Sequence, residues 1–178
     1  PEVYATPSEP NRLDGSVQSG HVVRYVPALG EGRKIVADLG DRHAKEILVD
    51  DVDGDGRDEL YVAVEGHMAK DTGVLVHGVE VRRYDADTAG DAGRVIAQIP
   101  DRLCRFLTAG DVDGDSRREL VAAAFMSGLW LLRQGDDPTQ GWSVESIDRE
   151  SGGFEHAAIL TDLDGDGVDE LYVASDKH

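Results

Sequence analysis

Three acidic segments hold the side chains of this 178-residue chain that are best suited to do chemistry. Loop one (51–59), loop two (111–119) and loop three (162–170) align position by position, with aspartate at positions 1, 3 and 5 and glutamate at position 9 of each. Hard cations such as Ca²⁺ take six to eight oxygen ligands in a flexible geometry. Carboxylates at alternate positions of a tight turn can point at one centre, so the spacing predicts calcium sites in these loops.

The remaining loop positions fit the same interpretation. Position 7 can offer a backbone carbonyl oxygen whatever its side chain, so Arg57, Arg117 and Val168 are all acceptable there. Glycines at positions 4 and 6 allow the positive φ that a chain wrapping an ion needs, but loop two has Ser116 at position 6. A left-handed residue other than glycine costs about 1–2 kcal/mol. Loop two is therefore predicted to bind calcium most weakly.

Two rival interpretations of the loops are less consistent with the sequence. An EF-hand needs a bidentate glutamate at position 12 and flanking helices, whereas position 12 is Val62, Ala122 or Val173. Acidic turns that are merely solvated would not require four carboxylates within nine residues, at matching positions, three times over. Both arguments favour metal sites flanked by strands.

The segments around the loops have the composition of β-strands. Each loop lies between two apolar runs of strand length, and two further strand-like runs follow loops one and two, separated by turn-rich clusters. The runs around the loops are 47–49 with 60–64, 106–108 with 120–124, and 158–160 with 171–174; the later runs are 79–84 with 94–99 and 129–133 with 142–147. Four strands in each period of 60 or 51 residues suit one propeller blade.

The expected fold is all-β, with about three blades of four antiparallel strands forming part of a larger closed propeller, since closed propellers have about 4–8 blades. Pro1–Ala5 resembles 58–62 without the preceding aspartates, so the chain is expected to begin inside a further copy. The remaining blades of the parent propeller would then be its first partner. The predicted segments are 1–46, 47–105, 106–157 and 158–178.

These residues resemble the FG-GAP/VCBS repeats of calcium-binding β-propellers, the family that includes the integrin α-subunit head, over nearly the whole chain. The resemblance implies two or three Ca²⁺ ions and backbone ligation by Arg57, Arg117 and Val168. The implied side-chain ligands are Asp51, Asp53, Asp55 and Glu59; Asp111, Asp113, Asp115 and Glu119; and Asp162, Asp164, Asp166 and Glu170. Ser116, the missing aspartates before Glu2 and the lack of literal Phe-Gly and Gly-Ala-Pro sequences depart from the family pattern.

Composition limits the partners that the chain can have. Asp and Glu number 36 against 18 Lys and Arg, a net charge of −18 that disfavours nucleic acid and anionic membrane surfaces. No apolar run approaches the roughly 18 residues needed to span a bilayer, so no membrane insertion is expected. Cys104 lies among apolar neighbours and is predicted to be a core thiol. Calcium sites fill readily where calcium is abundant, which favours an extracellular or cell-surface location, with any export signal outside this segment.

A second group of residues could form a ligand site on the face opposite the loops. An acid-x-His pattern recurs there in Glu65-Gly-His67 and Asp176-Lys-His178, and the connections into the next blades carry His43 and His156. Such residues could bind a transition metal or sugar hydroxyls, or act in acid–base chemistry. They could equally be loop side chains exposed to water. Trp130 and Trp142 could stack on sugars, but their strand-like surroundings favour a core position.

The sequence leaves two functions open. The favoured one is a calcium-braced extracellular module for binding or adhesion, with a glycan or protein ligand. The alternative is the propeller portion of a carbohydrate-active enzyme, a lyase or dehydratase, with the His and acid residues at its site. No motif in the chain names a reaction, and a propeller fold alone does not choose between them.

Overall fold

The computed structural model describes residues 1–6, 16, 18–88, 93–150 and 155–175, with the backbone alone described at 155 and 156. These residues are almost entirely strands and connections, and their one helical element is a 3-10 turn at Pro27–Leu29. All strand pairs are antiparallel. No helix among the described residues is long and apolar enough to cross a membrane. The all-β prediction is confirmed.

The strands form four main sheets and one small hairpin. The N-terminal sheet contains β1 (Val3–Ala5), β2 (Gly20–Val26) and β3 (Glu31–Gly40), and the hairpin contains β6 (His67–Met68) and β7 (Leu75–His77). The loop-one sheet contains β4 (Ala44–Asp50), β5 (Glu59–Val64), β8 (Val79–Tyr84) and β9 (Arg94–Ile99). The loop-two sheet contains β10 (Cys104–Gly110), β11 (Glu119–Ala124), β12 (Gly128–Arg133) and β13 (Ser143–Asp148). The loop-three sheet contains β14 (Glu155–Thr161) and β15 (Glu170–Ser175).

Each acidic loop connects the two strands of an antiparallel pair, as the sequence predicts. The residues paired across the loop ends are Asp50 with Glu59, Gly110 with Glu119, and Thr161 with Glu170. The pairing therefore brings position 9 of each loop back beside the residue that precedes position 1. In loops one and three, this return holds the glutamate close to the three aspartates.

The second strand of the loop-one sheet explains why the sheets stack. All six residues of β5 are buried, and successive residues enter different hydrophobic cores. Tyr61 and Ala63 pack in the core shared with the loop-two sheet, whereas Leu60 and Val62 pack in the core shared with the N-terminal sheet. Strand side chains alternate between the two faces of a sheet. A strand in a sheet that is covered on both faces therefore needs a continuous apolar run. The arrangement is consistent with part of a propeller.

The core also includes three residues whose surroundings in the sequence favour a core position. Cys104 is buried, and its burial raises the pKa of the thiol. Trp142 is buried, with its ring centroid 6.1 Å from that of Tyr61. Trp130 is partly buried against the same core, and its indole N–H donates to Ser127 Oγ at 3.0 Å. All three therefore contribute to packing.

Candidate metal centres

The backbone of the three loops has the conformation predicted from the glycine positions. At position 6, φ is 88° for Gly56, 93° for Gly167 and 68° for Ser116. Ser116 is the single residue other than glycine with positive φ in the described parts of the chain. The serine of loop two therefore does occupy the left-handed region, which disfavours a residue that has a Cβ atom.

The aspartate at position 1 closes each turn by accepting two backbone hydrogen bonds. In loop one, Asp51 Oδ1 accepts from the Gly54 N–H and Asp51 Oδ2 accepts from the Gly56 N–H, both at 2.9 Å. The corresponding bonds are Asp111 with Gly114 (2.7 Å) and Ser116 (2.8 Å), and Asp162 with Gly165 (2.6 Å) and Gly167 (2.9 Å). The turns are thus built around a fixed carboxylate.

The other carboxylates of each loop are also oriented by backbone N–H groups. Asp55 Oδ1 accepts from the N–H of Arg57 at 2.8 Å, and the position-5 aspartates of loops two and three repeat this bond. Glu59 Oε2 accepts from the N–H of Val52 at 3.3 Å, and Glu119 and Glu170 repeat that contact to position 2 at 3.1 Å. These bonds reduce the rearrangement that binding an ion would require.

The carboxylates come together as a group in two loops and partly in the third. The candidate ligand atoms of Asp51, Asp53, Asp55 and Glu59 lie within 4.8 Å of one another, as do those of Asp162, Asp164, Asp166 and Glu170. In loop two the group contains Asp111, Asp113 and Asp115 without Glu119. Ligands bound to one Ca²⁺ at about 2.3–2.6 Å lie no more than about 5 Å apart. The donors are all hard oxygens, so the groups fit a calcium ion.

Burial separates the glutamates of the first two loops from ordinary surface carboxylates. Glu59 and Glu119 are both buried, and this burial raises the pKa of each carboxyl group. Near Glu59, the Arg83 guanidinium acts in the opposite direction and lowers the pKa. Burying a carboxylate is costly unless a cation or hydrogen bonds compensate for the lost solvent.

Arg83 is a residue of the candidate site that the sequence does not reveal. Its Nη2 lies 2.6 Å from Asp53 Oδ2 and 3.5 Å from Glu59 Oε1, and its Nε lies 2.6 Å from Asp85 Oδ1. The side chain is only 5% exposed. Burial opposes the charged form, but Asp53 and Asp85 more than compensate and raise the pKa of the guanidinium above its usual range. The carboxylates of loop one are therefore already paired with a buried cation from β8.

Position 8 of loops two and three contacts the preceding repeat. Arg118 Nη1 lies 2.5 Å from Asp50 Oδ1, and Arg118 Nη2 donates to the carbonyl oxygen of Ala109 at 3.1 Å. Asp169, at position 8 of loop three, accepts a hydrogen bond from the backbone N–H of Asp111 in loop two. The loops are consequently in contact along one edge of the stacked sheets.

A cleft of about 520 Å³ separates loops one and two, with Asp55 and Ser116 among its lining residues. Arg117 also lines it, and its Nη2 donates to the carbonyl oxygen of Gln134 at 3.0 Å. The Gln134 side chain donates to the carbonyl oxygens of Val52 (3.1 Å) and Arg118 (3.3 Å). The cleft is thus crossed by hydrogen bonds that join the two loops.

The structure describes only part of the predicted histidine site. His43 Nε2 lies 2.9 Å from the carbonyl oxygen of Gln18, and the backbone N–H of Glu65 donates to the carbonyl oxygen of His43 at 2.7 Å. His67 is exposed on β6, where it pairs with His77 of β7 rather than with any residue of the predicted set. The side chain of His156, together with Asp176 and His178, lies outside what the structure describes.

Comparison with known proteins supports the family resemblance. Residues 111–173 match the model of an FG-GAP-like repeat, a segment that runs from position 1 of loop two into β15 and includes two of the three acidic loops. No curated protein and no solved structure matches the chain. The match confirms the resemblance inferred from the loop residues.

Proposed function

We propose that this chain, which carries an FG-GAP-like repeat, is a calcium-stabilised binding module whose acidic loops hold structural Ca²⁺. The convergence of four carboxylate ligands within 4.8 Å in loops one and three carries the proposal. The proposed ligands are the side chains at positions 1, 3, 5 and 9 and the backbone carbonyl at position 7 of each loop. Two or three ions would bind each chain.

The proposed role of the ion is mechanical. Each loop joins the first two strands of a sheet, and its carboxylates repel one another where those strands meet. A divalent cation would neutralise this charge and hold the ends of both strands together. Because position 1 already bonds to two backbone N–H groups, the loop is largely preformed for the ion. Binding to the folded state alone would then stabilise the fold by mass action.

The wider role follows from the repeat architecture. FG-GAP-like repeats are typical of extracellular proteins, so the proposed location is outside the cell or at its surface. Each four-stranded sheet is proposed to be one blade, with divisions at 1–46, 47–105, 106–157 and 158–178. Connections at the sheet ends opposite the loops would contact a protein or glycan partner. Nothing in the described residues specifically favours the enzyme alternative.

Calcium binding to the whole chain tests this function directly. The metal-free protein would be titrated with Ca²⁺ by calorimetry, and its Tm would be measured with and without the ion. We expect two or three ions per chain and a Tm that rises with Ca²⁺ concentration, with a smaller effect from Mg²⁺, which requires a more regular octahedral site.

Matched variants connect this result to the loops. Asp51→Asn and Asp162→Asn remove one charge from a predicted ligand without changing its shape, and each should abolish one binding event. Asp71→Asn makes the same change at an exposed position outside the loops and should leave the stoichiometry intact. A Tm that is the same with and without Ca²⁺, together with no bound ion, would show that the loops have no structural calcium.

A further inference from the structure

Arg83 distinguishes loop one from the other two loops. Its guanidinium contacts two predicted calcium ligands of the loop, Asp53 at 2.6 Å and Glu59 at 3.5 Å, and it does so from a site that is only 5% exposed. The residue lies in β8, where it pairs with Tyr61 of β5. The loop and the third strand of its own sheet are therefore connected by a buried ion pair.

The loop-two sheet has no equivalent residue. The same register pairs Val121 of β11 with Leu131 of β12, so leucine occupies the place of Arg83. Among the described residues, the ion pair with a loop-two carboxylate is made by Arg133, with Nε 3.6 Å from Asp113 Oδ2 and a side chain that is 36% exposed. For loop three, no ion pair to the carboxylates occurs in the described ranges. A buried internal cation is thus specific to loop one.

A guanidinium and a calcium ion at this position would compete. Both are stabilised by the oxygens of Asp53 and Glu59, and Glu59 Oε2 is already engaged by the Val52 N–H and the Tyr61 hydroxyl. The oxygen nearer to Arg83, Oε1, is consequently the one left for an ion. Two positive groups sharing these oxygens repel each other strongly because so little solvent screens them. Without the ion, by contrast, Arg83 relieves the repulsion among the carboxylates.

We propose that Arg83 is a built-in counter-ion of loop one, which keeps the loop ordered without calcium and lowers its affinity for Ca²⁺ below that of loop three. The inference rests on the proposed calcium function of the loops. It implies that the sites fill in sequence as calcium rises. Loop three has neither the buried arginine of loop one nor the strained serine of loop two, so it fills first.

Terbium luminescence can test the inference at loop one alone. Tyr61 donates to Glu59 at 3.1 Å, and Trp142 packs against Tyr61, so excitation of these rings can sensitise Tb³⁺ bound in the loop. Loops two and three would be silenced by D111N/D113N and D162N/D164N. In this background, Arg83→Leu introduces the residue found at the equivalent place in the loop-two sheet, whereas Arg83→Lys keeps the charge.

We expect Arg83→Leu to tighten Tb³⁺ binding, and Ca²⁺ binding measured by competition, by about tenfold or more, while Arg83→Lys stays close to the unmodified loop. Arg133→Leu, with loop two as the single active loop, is the matched control and should change Ca²⁺ affinity by less than about threefold, because Arg133 is partly exposed to solvent. The Tm of Arg83→Leu should fall in chelator and recover in saturating Ca²⁺. If this variant folds only with calcium, that dependence supports the same conclusion.

Two different results would contradict the counter-ion role of Arg83 and the calcium function of loop one. Equal or weaker binding by Arg83→Leu would overturn the counter-ion role and would make Arg83 a residue that positions Asp53 for the ion. An absence of Tb³⁺ and Ca²⁺ binding by loop one both with and without Arg83 would overturn the proposed calcium function of the loop, and the inference with it.

Discussion

Asp169 of loop three and Asp111 of loop two exchange a reciprocal pair of hydrogen bonds. The Asp169 carboxylate Oδ2 accepts from the Asp111 N–H at 2.8 Å, and the Asp169 N–H donates to the Asp111 carbonyl oxygen at 2.7 Å. Asp111 is also the position-1 aspartate that closes the turn of loop two. Position 8 of one loop therefore helps to hold the metal ligand of the preceding loop.

Removing the Asp169 carboxylate should affect both the stability of the fold and the calcium site of loop two. Asp169→Ala leaves the Asp111 N–H without its acceptor, so we expect a loss of about 1 kcal/mol in the free energy of unfolding and weaker Ca²⁺ binding at loop two. Urea unfolding and calorimetry measure the two effects. Asp58→Ala is the matched control, since Asp58 has the same position in loop one but makes no hydrogen bond or ion pair with the described residues. Equal effects of both variants would contradict a role for the Asp169 contact.

Gly110 is packed tightly against this contact. A Cβ atom at Gly110 would lie 2.5 Å from Asp169 Oδ2 and 3.0 Å from Leu160 Cβ. Gly110→Ala must therefore displace the Asp169 carboxylate and crowd Leu160, and we expect it to destabilise the fold by about 1–3 kcal/mol in urea unfolding. Gly32→Ala, also in a strand, has no atom within 4 Å of the new Cβ and should change stability by less than about 0.5 kcal/mol. A neutral Gly110→Ala would show that the sheets are more loosely packed.

Ser116 should respond to substitution in the opposite direction. Its φ is 68°, which glycine adopts without strain, so Ser116→Gly should stabilise loop two by about 1 kcal/mol and tighten its calcium site. The reverse change, Gly56→Ser, places serine at the same position of loop one, where φ is 88°, and should weaken that site. Calcium titration of the two variants is the measurement. If both changes move affinity in the same direction, backbone strain is not the cause.

Glu46 provides a prediction about pH. It lies in β4, where burial raises the pKa of its carboxyl group to about 7, while a hydrogen bond from the Leu107 N–H acts to lower the pKa. The folded state therefore binds more protons than the unfolded state between pH 4.5 and about 7. Because the folded pKa is the higher one, the stability contributed by this group is largest at low pH and decreases as pH rises across that window.

Glu46→Gln should remove this dependence. Relative to the wild-type protein, the variant should gain about 2 kcal/mol in unfolding free energy between pH 4.5 and 7.5, less than the full pKa shift implies because the carboxyl is only partly buried. Urea unfolding at fixed Ca²⁺ and several pH values measures the difference between the two proteins. A difference that does not vary with pH would mean that Glu46 ionises normally in the fold.

Much of this architecture was predictable because the acidic loops mark the same point of each repeat. Once Asp51, Asp111 and Asp162 are aligned, the flanking strands and the four-stranded sheets follow from strand-length apolar runs. The left-handed backbone at Ser116 was also predictable, because the aligned glycines identify which position needs positive φ. The strands β2 and β3 were not predicted, since the segment before residue 44 has no acidic loop to align.

Other features depend on contacts that a linear pattern does not contain. Arg83 lies 24 residues after Glu59, and only the pairing of β5 with β8 brings it into loop one. The neighbouring Arg82 instead bonds to Glu80 in its own strand, so the sequence alone cannot say which arginine turns inward. The contact of Asp169 with Asp111 likewise requires two sheets to stack. Sequence periodicity predicts the strands, whereas the contacts of these residues depend on how the strands pair and how the sheets stack.

The β6–β7 hairpin shows that the two ends of the sheets differ in how long their connections can be. At the loop end, all three repeats keep the same nine-residue pattern. At the other end, β5 and β8 are joined by residues 65–78, which include the hairpin, whereas β11 and β12 are joined by residues 125–127. The longer connection lies at the end where the strands have no predicted ligand in common. That end of the sheets can therefore take up additional residues without disturbing a predicted metal site.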